Sequence, residues 1–273
     1  MNKSKNTDST IKSLARKKNQ DVKYTIISLL TLLVFFTAWQ LIVDYEIVST
    51  KVLASPIEVV NAFIEKLTRE GPDGATLQEN ILASMSIAMA GFALGSIIGI
   101  PLGWLMGWYK PIDRFVRPVF DLIRPIPPVG WIPISLMLLG FGFRAKVLII
   151  FFGTFIPSLI NANTGIRLTP QSLIDVAKTC GASYFEIFWR VGIPYSLPLA
   201  FTGLRISLAN SWGALVAAEM LAANAGLGNM IVMGRQFVRT DLIILGMVVI
   251  GIIGIILVNI FDRVERFFLK GRI

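Results

Sequence analysis

The sequence contains no histidine, a single cysteine and little charge, and each shortage excludes a class of function. Without histidine the chain can form no Ser-His-Asp or Cys-His catalytic group, no imidazole metal ligand and no imidazole proton relay. Cys180 alone can make neither an intramolecular disulfide nor a CxxC metal site. Charged residues make up 16% of the 273 residues, against about 25% in a typical soluble domain. Most of the chain is therefore predicted to be buried or in contact with lipid.

Two chemical motifs are also missing from the sequence. No G-x-x-x-x-G-K-[ST] stretch occurs, so the chain has no phosphate-binding loop of its own. An intramembrane enzyme needs a nucleophile with a base, or ligands for a metal, and a Ser-Lys pair is the one such arrangement that this composition leaves open. We therefore predict that the chain is not an enzyme and that it holds no catalytic residue, metal or cofactor.

Long apolar runs are what the sequence does have, since 54% of its residues are hydrophobic. A helix needs roughly 20 mostly apolar residues to cross the hydrocarbon of a bilayer. Six stretches of that kind predict an all-α membrane protein with six transmembrane helices between basic tails at 1–24 and 264–273, and the fifth stretch is interrupted by Arg205. The predicted spans are 25–43, 80–109, 125–143, 147–166, 197–221 and 242–261.

The net charge of +9 is unevenly distributed along these segments. If the amino terminus is cytoplasmic and six spans follow, 18 of the 26 Lys and Arg residues fall on the cytoplasmic side and seven on the other. The excess of basic residues on the cytoplasmic side of membrane proteins predicts a multi-pass protein of the cell membrane with both termini inside. The basic charge is then assigned to orientation and to lipid headgroups, and nucleic acid is not an expected partner.

Glycine recurs every fourth residue in the second predicted span, from Gly91 to Gly107. This stripe is typical of a face on which another helix packs closely, and a hinge or a substrate groove is the alternative. Before it, Ser55-Pro56-Ile57-Glu58 has the form of a helix-capping box with proline in the first turn. It predicts a short amphipathic helix that lies on the outer membrane surface or serves as a solvated linker.

The third predicted span begins with five prolines or glycines between Arg124 and Pro133, and a regular helix cannot run through them. Irregular backbone at membrane depth is tolerated only where protein or a water-filled cavity satisfies it. The sequence therefore predicts either a broken or re-entrant helix beside a transport path, or a helix that starts late at the membrane boundary.

The segment 167–195 is too polar to span a bilayer and too apolar for a free loop. It reads PQSLIDVAKTCGASYFEIFWRVGIP from Pro170 to Pro194, with Gly181 as a turn and Pro194 as a stop. Its apolar residues predict either insertion into a groove on a partner or packing on its own chain. The residues concerned are Val176, Ala177, Phe185, Ile187, Phe188 and Trp189.

This loop resembles the EAA signature of permease subunits of binding-protein-dependent ABC importers. That signature has Gly at its seventh place and Pro thirteen residues later, and Asp175, Ala177, Gly181 and Pro194 reproduce the spacing with mild departures in identity. The resemblance covers nearly the whole chain after the basic tail. It extends to the nitrate, sulfonate and taurine subgroup through Ala54-Ser55-Pro56, Arg124-Pro125-Ile126-Pro127-Pro128 and Gly226-Leu227-Gly228.

The resemblance implies a type I ABC importer permease whose chemistry lies in other chains. Two permease copies, as a homodimer in membrane lipid, would form the pathway, two separate ATPase subunits would bind ATP and Mg²⁺, and an extracytoplasmic solute-binding protein would deliver the solute. The EAA-like loop would be the coupling helix, seated in a groove on the ATPase. Residues expected at this contact are Asp175, Ala177, Gly181, Ala182, Ser183, Phe188 and Pro194.

Polar residues in the fifth span are the candidates for the translocation path, because ionisable and polar groups within a membrane usually face a cavity or the bundle interior. They are Ser207, Asn210, Ser211, Trp212 and Glu219. Arg205 is either structural or functional. The resemblance implies transport of a small anionic solute such as a sulfonate, taurine or nitrate. A heterocyclic vitamin precursor is also compatible with it. A secondary transporter or channel that works without an ATPase is the alternative, although no internal repeat supports it.

Overall fold

The computed structural model describes the backbone of residues 3–222 and 225–270, and no strand occurs within these ranges. Residues 1, 2 and 271–273 of the two predicted basic tails lie outside the described residues. The helices in chain order are α1 (Lys3–Asp44), α2 (Pro56–Thr68), α3 (Leu77–Trp108), α4 (Lys110–Ile123), α5 (Ile132–Leu139), α6 (Phe143–Arg167), α7 (Gln171–Thr179), α8 (Tyr184–Ile187), α9 (Ile193–Ala222), α10 (Leu227–Gln236) and α11 (Thr240–Leu269).

Three long helices, α3, α6 and α9, form the centre of the bundle. Helices α3 and α6 run parallel, because Gly91 lies on Val147 and Ile150 while Gly107 lies on Asn163 and Ile166. Helix α9 runs antiparallel to α6. Its Ser207 pairs with Ser158 at 2.9 Å, and its Ser211 pairs with Thr154 at 2.6 Å. Helix α11 is antiparallel to α9 in turn, since the Trp212 ring N–H donates to the Ile250 carbonyl oxygen.

The glycine stripe of α3 is the packing face that its spacing predicts. A Cβ atom at Gly95 would lie 2.6 Å from Cβ of Thr154, and one at Gly103 would lie 2.5 Å from the carbonyl oxygen of Leu159. Any side chain would therefore force the two backbones apart. The packing interpretation is confirmed, and α3 has no room for a groove on this side.

The third crossing differs from the predicted span 125–143. A 3₁₀ turn at Pro128–Trp131 and the eight-residue helix α5 occupy most of that range, which is too short for one helix to span a bilayer. Helix α4 and the unit Pro128–Leu139 meet at 87° and together are apolar enough for a broken span or a re-entrant loop. Helix α4 is absent from the predicted spans because its apolar residues occupy only one face and charged residues occupy another.

The parallel course of α3 and α6 explains why this bent unit exists. The chain leaves α3 at Trp108 and enters α6 at Phe143, at opposite ends of the bundle, so α4 and α5 must carry it back. Within the part of the chain that the structure describes, four helices are long and apolar enough to cross a membrane, and the bent α4–α5 pair makes a fifth unit. Helix α9 is long enough but carries several polar residues, so the count of six crossings stays a prediction.

The capping box that begins α2 is confirmed. The Glu58 N–H donates to the Ser55 hydroxyl at 3.2 Å, and the Ser55 N–H donates back to the Glu58 carboxylate at 2.7 Å. Val59 and Ala62 face the bundle, whereas Ile57, Val60 and Ile64 are exposed. An exposed apolar stripe of this kind fits a helix at a membrane interface.

Candidate functional site

Helix α7 ends in a turn that only a residue with positive φ can make. Gly181 has φ +82°, its N–H donates to the Lys178 carbonyl oxygen at 2.8 Å, and the Ala182 N–H donates to the Ala177 oxygen at 3.0 Å. These two bonds form a Schellman cap. Residues Ala177 to Ala182 therefore form the carboxyl end of one helix, α7.

Helix α8 begins immediately after this turn and is attached to the end of α3. Ser183 caps it, and the Ser183 N–H and hydroxyl both donate to the Glu186 carboxylate at 2.9 Å. The bond from the Ser183 N–H, and next to it the bond from the Ser183 hydroxyl, hold the pKa of Glu186 below its ordinary value. The Tyr184 hydroxyl donates to the Trp108 carbonyl oxygen at 3.0 Å, so the loop and α3 move together.

The stretch Phe188–Gly192 that joins α8 to α9 is a π-helical turn. Pro194 lacks an N–H and cannot continue the normal ladder, and the Ile193 N–H reaches back to the Phe188 carbonyl oxygen. Phe188 is 4% exposed and packs on Trp108 with ring centroids 5.7 Å apart. The structure thus places Phe188 inside the protein and not at a surface that a partner could contact.

The predicted coupling residues divide into two groups. Asp175, Gly181 and Ser183 are exposed. The Asp175 carboxylate accepts a bond from Gln171 at 2.9 Å and pairs with Lys178 at 3.9 Å, both on its own helix. Ala177, Ala182, Phe188 and Pro194 are buried or half-buried, and the first three belong to the cluster around Trp108. The second group packs within the chain and supports the loop, and the coupling role of all seven residues stays a prediction.

An apolar surface lies on the outer side of this loop, and we name it the loop surface. It consists of Leu173, Val176, Phe185 and Trp189, of which Val176 and Phe185 are each 62% exposed. Phe185 and Trp189 meet edge to face at 6.2 Å. The sequence offered two interpretations of these apolar residues, and the structure divides them. Ile187 and Phe188 pack on their own chain, and the loop surface remains open.

The predicted path residues of α9 also divide. Ser207, Ser211 and Trp212 are buried and bonded to α6 or α11. Asn210 is exposed, on the side of α9 that neither α6 nor α11 covers. Asn210 is therefore the exposed member of the predicted set, and the path role of these residues stays a prediction.

Glu219 lies at the opposite end of the bundle from α7, in a polar cluster that we name the Glu219 network. Its carboxylate is 1% exposed and accepts bonds from the Ser84 hydroxyl at 2.7 and 2.9 Å and from the Gly228 N–H at 2.9 Å. The Asn80 side chain holds the Gly226 N–H at 2.9 Å and the Asp73 carboxylate at 2.6 Å. Glu219 thus fixes the turn before α10 and does not face an open path.

Several of these residues were not identified from the sequence. Ser84, Asn80 and Asp73 are widely separated polar residues with no motif, and only the fold brings them to Glu219. Lys66 extends the network, since its buried ammonium pairs with Asp73. Arg205, left open by the sequence, pairs with Asp262 at 2.8 Å and with Glu265 on α11.

Residues 99–272 match the family described as the binding-protein-dependent transport system inner membrane component. The chain belongs to this family. The matched region begins in α3 and includes the loop of α7 and α8, α9 and α11, so the parts built around Gly181 and Asn210 are parts of a permease.

Named relatives agree with the family match over most of the permease. It is 39% identical over 222 residues to a putative ABC transporter permease of Methanocaldococcus jannaschii, covering 80% of this chain and 82% of the relative. It is 35% identical over 234 residues to the taurine transport system permease of Escherichia coli, covering 85% and 84%. It is 31% identical over 228 residues to a nitrate import permease of Synechocystis, covering 82% of each. The subgroup resemblance is confirmed.

The fold agrees as well. The permease superposes on a chain of the MetNI methionine ABC transporter in an inward-facing conformation with a TM-score of 0.60 at 20% identity. The match covers 70% of this chain and 94% of the other. The type I importer permease fold is therefore confirmed.

Proposed function

We propose that this permease forms the translocation path for a small anionic solute, either nitrate or a sulfonate such as taurine. It would couple transport of this solute to separate ATPase subunits through the loop surface. Two copies would make the path in the cell membrane, and an extracytoplasmic binding protein would deliver the solute. ATP and Mg²⁺ would be bound by the ATPase. The basic bias of the sequence supports both termini, and the α7–α8 end, on the cytoplasmic side.

The observation that carries this proposal is the loop surface on a rigid base. Side chains of Leu173, Val176, Phe185 and Trp189 project outward, while the same loop is attached beneath by Tyr184 and Phe188 to Trp108 of α3. Exposed apolar patches of this kind mark interaction sites. A force on the loop surface would reach α3 through Trp108, and α9 through the π turn.

The energetics of alternating access require the ATPase subunit. Alternating access needs a free-energy difference between two states of the permease, and a solute that binds both states equally shifts neither. The chain has no phosphate-binding loop, so ATP hydrolysis on a docked subunit would supply that difference.

The experiment that tests this function is transport by the reconstituted complex. The permease, its partner ATPase and the binding protein would be placed in liposomes with taurine, ethanesulfonate or nitrate outside. We expect uptake only with ATP and all three components. Uptake by the permease alone would favour the secondary transporter or channel, and uptake of none of the three solutes would contradict the proposed solute class.

A further inference from the structure

One face of α4 carries charged side chains to the middle of the bundle. Lys110, Arg114, Arg117, Asp121 and Arg124 recur at spacings of four and three residues, so they share one face of the helix. Phe115 and Leu122 on another side are 84% and 75% exposed, as expected of a lipid-facing surface. Arg124 is the last charge of the polar face, at the break before the prolines.

The depth of Arg124 follows from the neighbours of its two adjoining turns. Phe120, one turn earlier, packs on Phe155 with ring centroids 6.4 Å apart. Pro128, one turn later, lies against Gly153. Phe155 is the middle residue of α6, about 18 Å from either end at 1.5 Å per residue. Arg124 therefore lies near the midplane of the bundle, more than twice its side-chain length from either end.

An exposed charge at this depth needs an aqueous or polar surrounding. Arg124 is exposed, and no carboxylate among residues 26–221 and 225–270 lies at ion-pair distance from it. Charged side chains within membranes are costly and face cavities or partners. The polar face of α4 therefore needs a water-accessible groove beside it.

Asn210 lies at the same level of α6. Its neighbour Ser211 bonds to Thr154, and Ser207 bonds to Ser158, so Asn210 is opposite the stretch that contains Phe155. Pro128, one turn after Arg124, and Ser211, next to Asn210, approach the same point of α6, because a Cβ atom at Gly153 would lie 3.4 Å from Pro128 and 3.5 Å from the Ser211 hydroxyl. Both Arg124 and Asn210 are exposed. A guanidinium fork and an amide at one depth supply hydrogen-bond donors that match an oxoanion.

We propose that Arg124, with Asn210, forms an anion-binding point midway along the path, which selects sulfonate or nitrate solutes by charge. This inference rests on the proposed function and assigns its solute specificity to a named residue. The Arg124 guanidinium donates hydrogen bonds to the oxygen atoms of the solute, and its charge makes the groove favourable to anions over cations.

The first test compares Arg124→Gln, Arg124→Lys and the control Arg114→Gln in the reconstituted complex. Uptake is measured with whichever of taurine, ethanesulfonate and nitrate the wild-type complex transports, and ATPase binding is measured in parallel. We expect Arg124→Gln to lower uptake about tenfold, the value of one charge-assisted hydrogen bond, Arg124→Lys to keep most of it, and Arg114→Gln to stay within twofold. Wild-type uptake in Arg124→Gln overturns the inference while leaving the proposed function standing.

A charge-restoration experiment separates binding from folding. In a Cys180→Ser background, which serves as the reference, Arg124→Cys is treated with positive aminoethyl or negative sulfonatoethyl methanethiosulfonate. We expect both reagents to react, the positive one to restore uptake and the negative one not to, and a Leu122→Cys control to remain unmodified. Equal effects of the two reagents, or failure of Arg124→Gln, Arg124→Lys and Arg124→Cys alike to assemble with the ATPase, would overturn the inference.

Discussion

The two ends of this bundle satisfy their side chains in opposite ways. At one end the Glu219 network buries a carboxylate, a serine and an asparagine, and each has its bonds within the chain. At the other end the loop surface leaves Val176, Phe185 and Trp189 open to solvent. Buried polar groups that are fully bonded rigidify a fold, whereas exposed apolar groups gain free energy only when something covers them. One end is thus complete by itself, and the other exposes apolar side chains that the proposed ATPase would cover.

The largest expected effect on stability is at the complete end. Glu219→Ala would leave the Ser84 hydroxyl and the Gly228 N–H without their buried acceptor, so we expect the free energy of unfolding in detergent to fall by about 3 kcal/mol. Chemical denaturation of the purified permease measures it. The control Glu65→Ala removes an exposed pair with Arg239 and should cost under about 0.5 kcal/mol. Equal stabilities of the two variants would contradict the distinction between buried and exposed carboxylates.

A smaller loss is expected at the turn of the loop. Gly181→Val forces a branched side chain into φ +82°, which costs roughly 1–2 kcal/mol, and it should also reduce ATP-coupled uptake because the loop surface changes shape. Asn adopts this backbone region more readily, so Gly181→Asn is the matched control and should lose less of both. The assignment is wrong if Gly181→Val assembles with the ATPase and transports normally.

A still smaller effect is expected where the loop meets α3. Tyr184→Phe keeps the ring contact with Trp108 at 5.2 Å but removes the hydroxyl that donates to its carbonyl oxygen. We expect a loss of about 1 kcal/mol in the same denaturation assay. Tyr195→Phe is the control, because Tyr195 is 45% exposed and its hydroxyl has no hydrogen-bond partner among residues 26–221 and 225–270. A loss in Tyr195→Phe as large as that in Tyr184→Phe would remove the anchoring role.

The smallest effect on stability, and the sharpest difference between the ends, is expected for Phe185→Ser. Phe185 is already 62% exposed, so the free energy of unfolding should change by under about 0.5 kcal/mol. Affinity for the ATPase should fall about tenfold, because aromatic side chains carry much of the binding energy of an interface. Phe237→Ser, an equally exposed position beyond α10, should leave that affinity unchanged. Titration of the ATPase onto each variant distinguishes these results.

Local patterns identified some elements correctly because their cause is local. The capping box at Ser55, the glycine stripe from Gly91 to Gly107 and the turn at Gly181 each depend on residues within a few positions or on a repeat along one helix. Helix α4 was not predicted, since it is apolar on one face only and its charges interrupt the apolar run. Phe188 was expected at a contact with the ATPase. Its burial could not be foreseen, because it depends on Trp108, which is 80 residues away in the chain.

By itself the sequence determined the class of the protein. The apolar runs and the basic bias indicate a multi-pass membrane protein, and the resemblance of Asp175, Gly181 and Pro194 to the EAA signature indicates a permease. The tertiary structure alone decided which polar residues are bonded and which are open. It buried Ser211 and Glu219, left Asn210 exposed, and carried Arg124 to mid-depth. The reason is that burial depends on helices far apart in sequence, and no single segment specifies its neighbours.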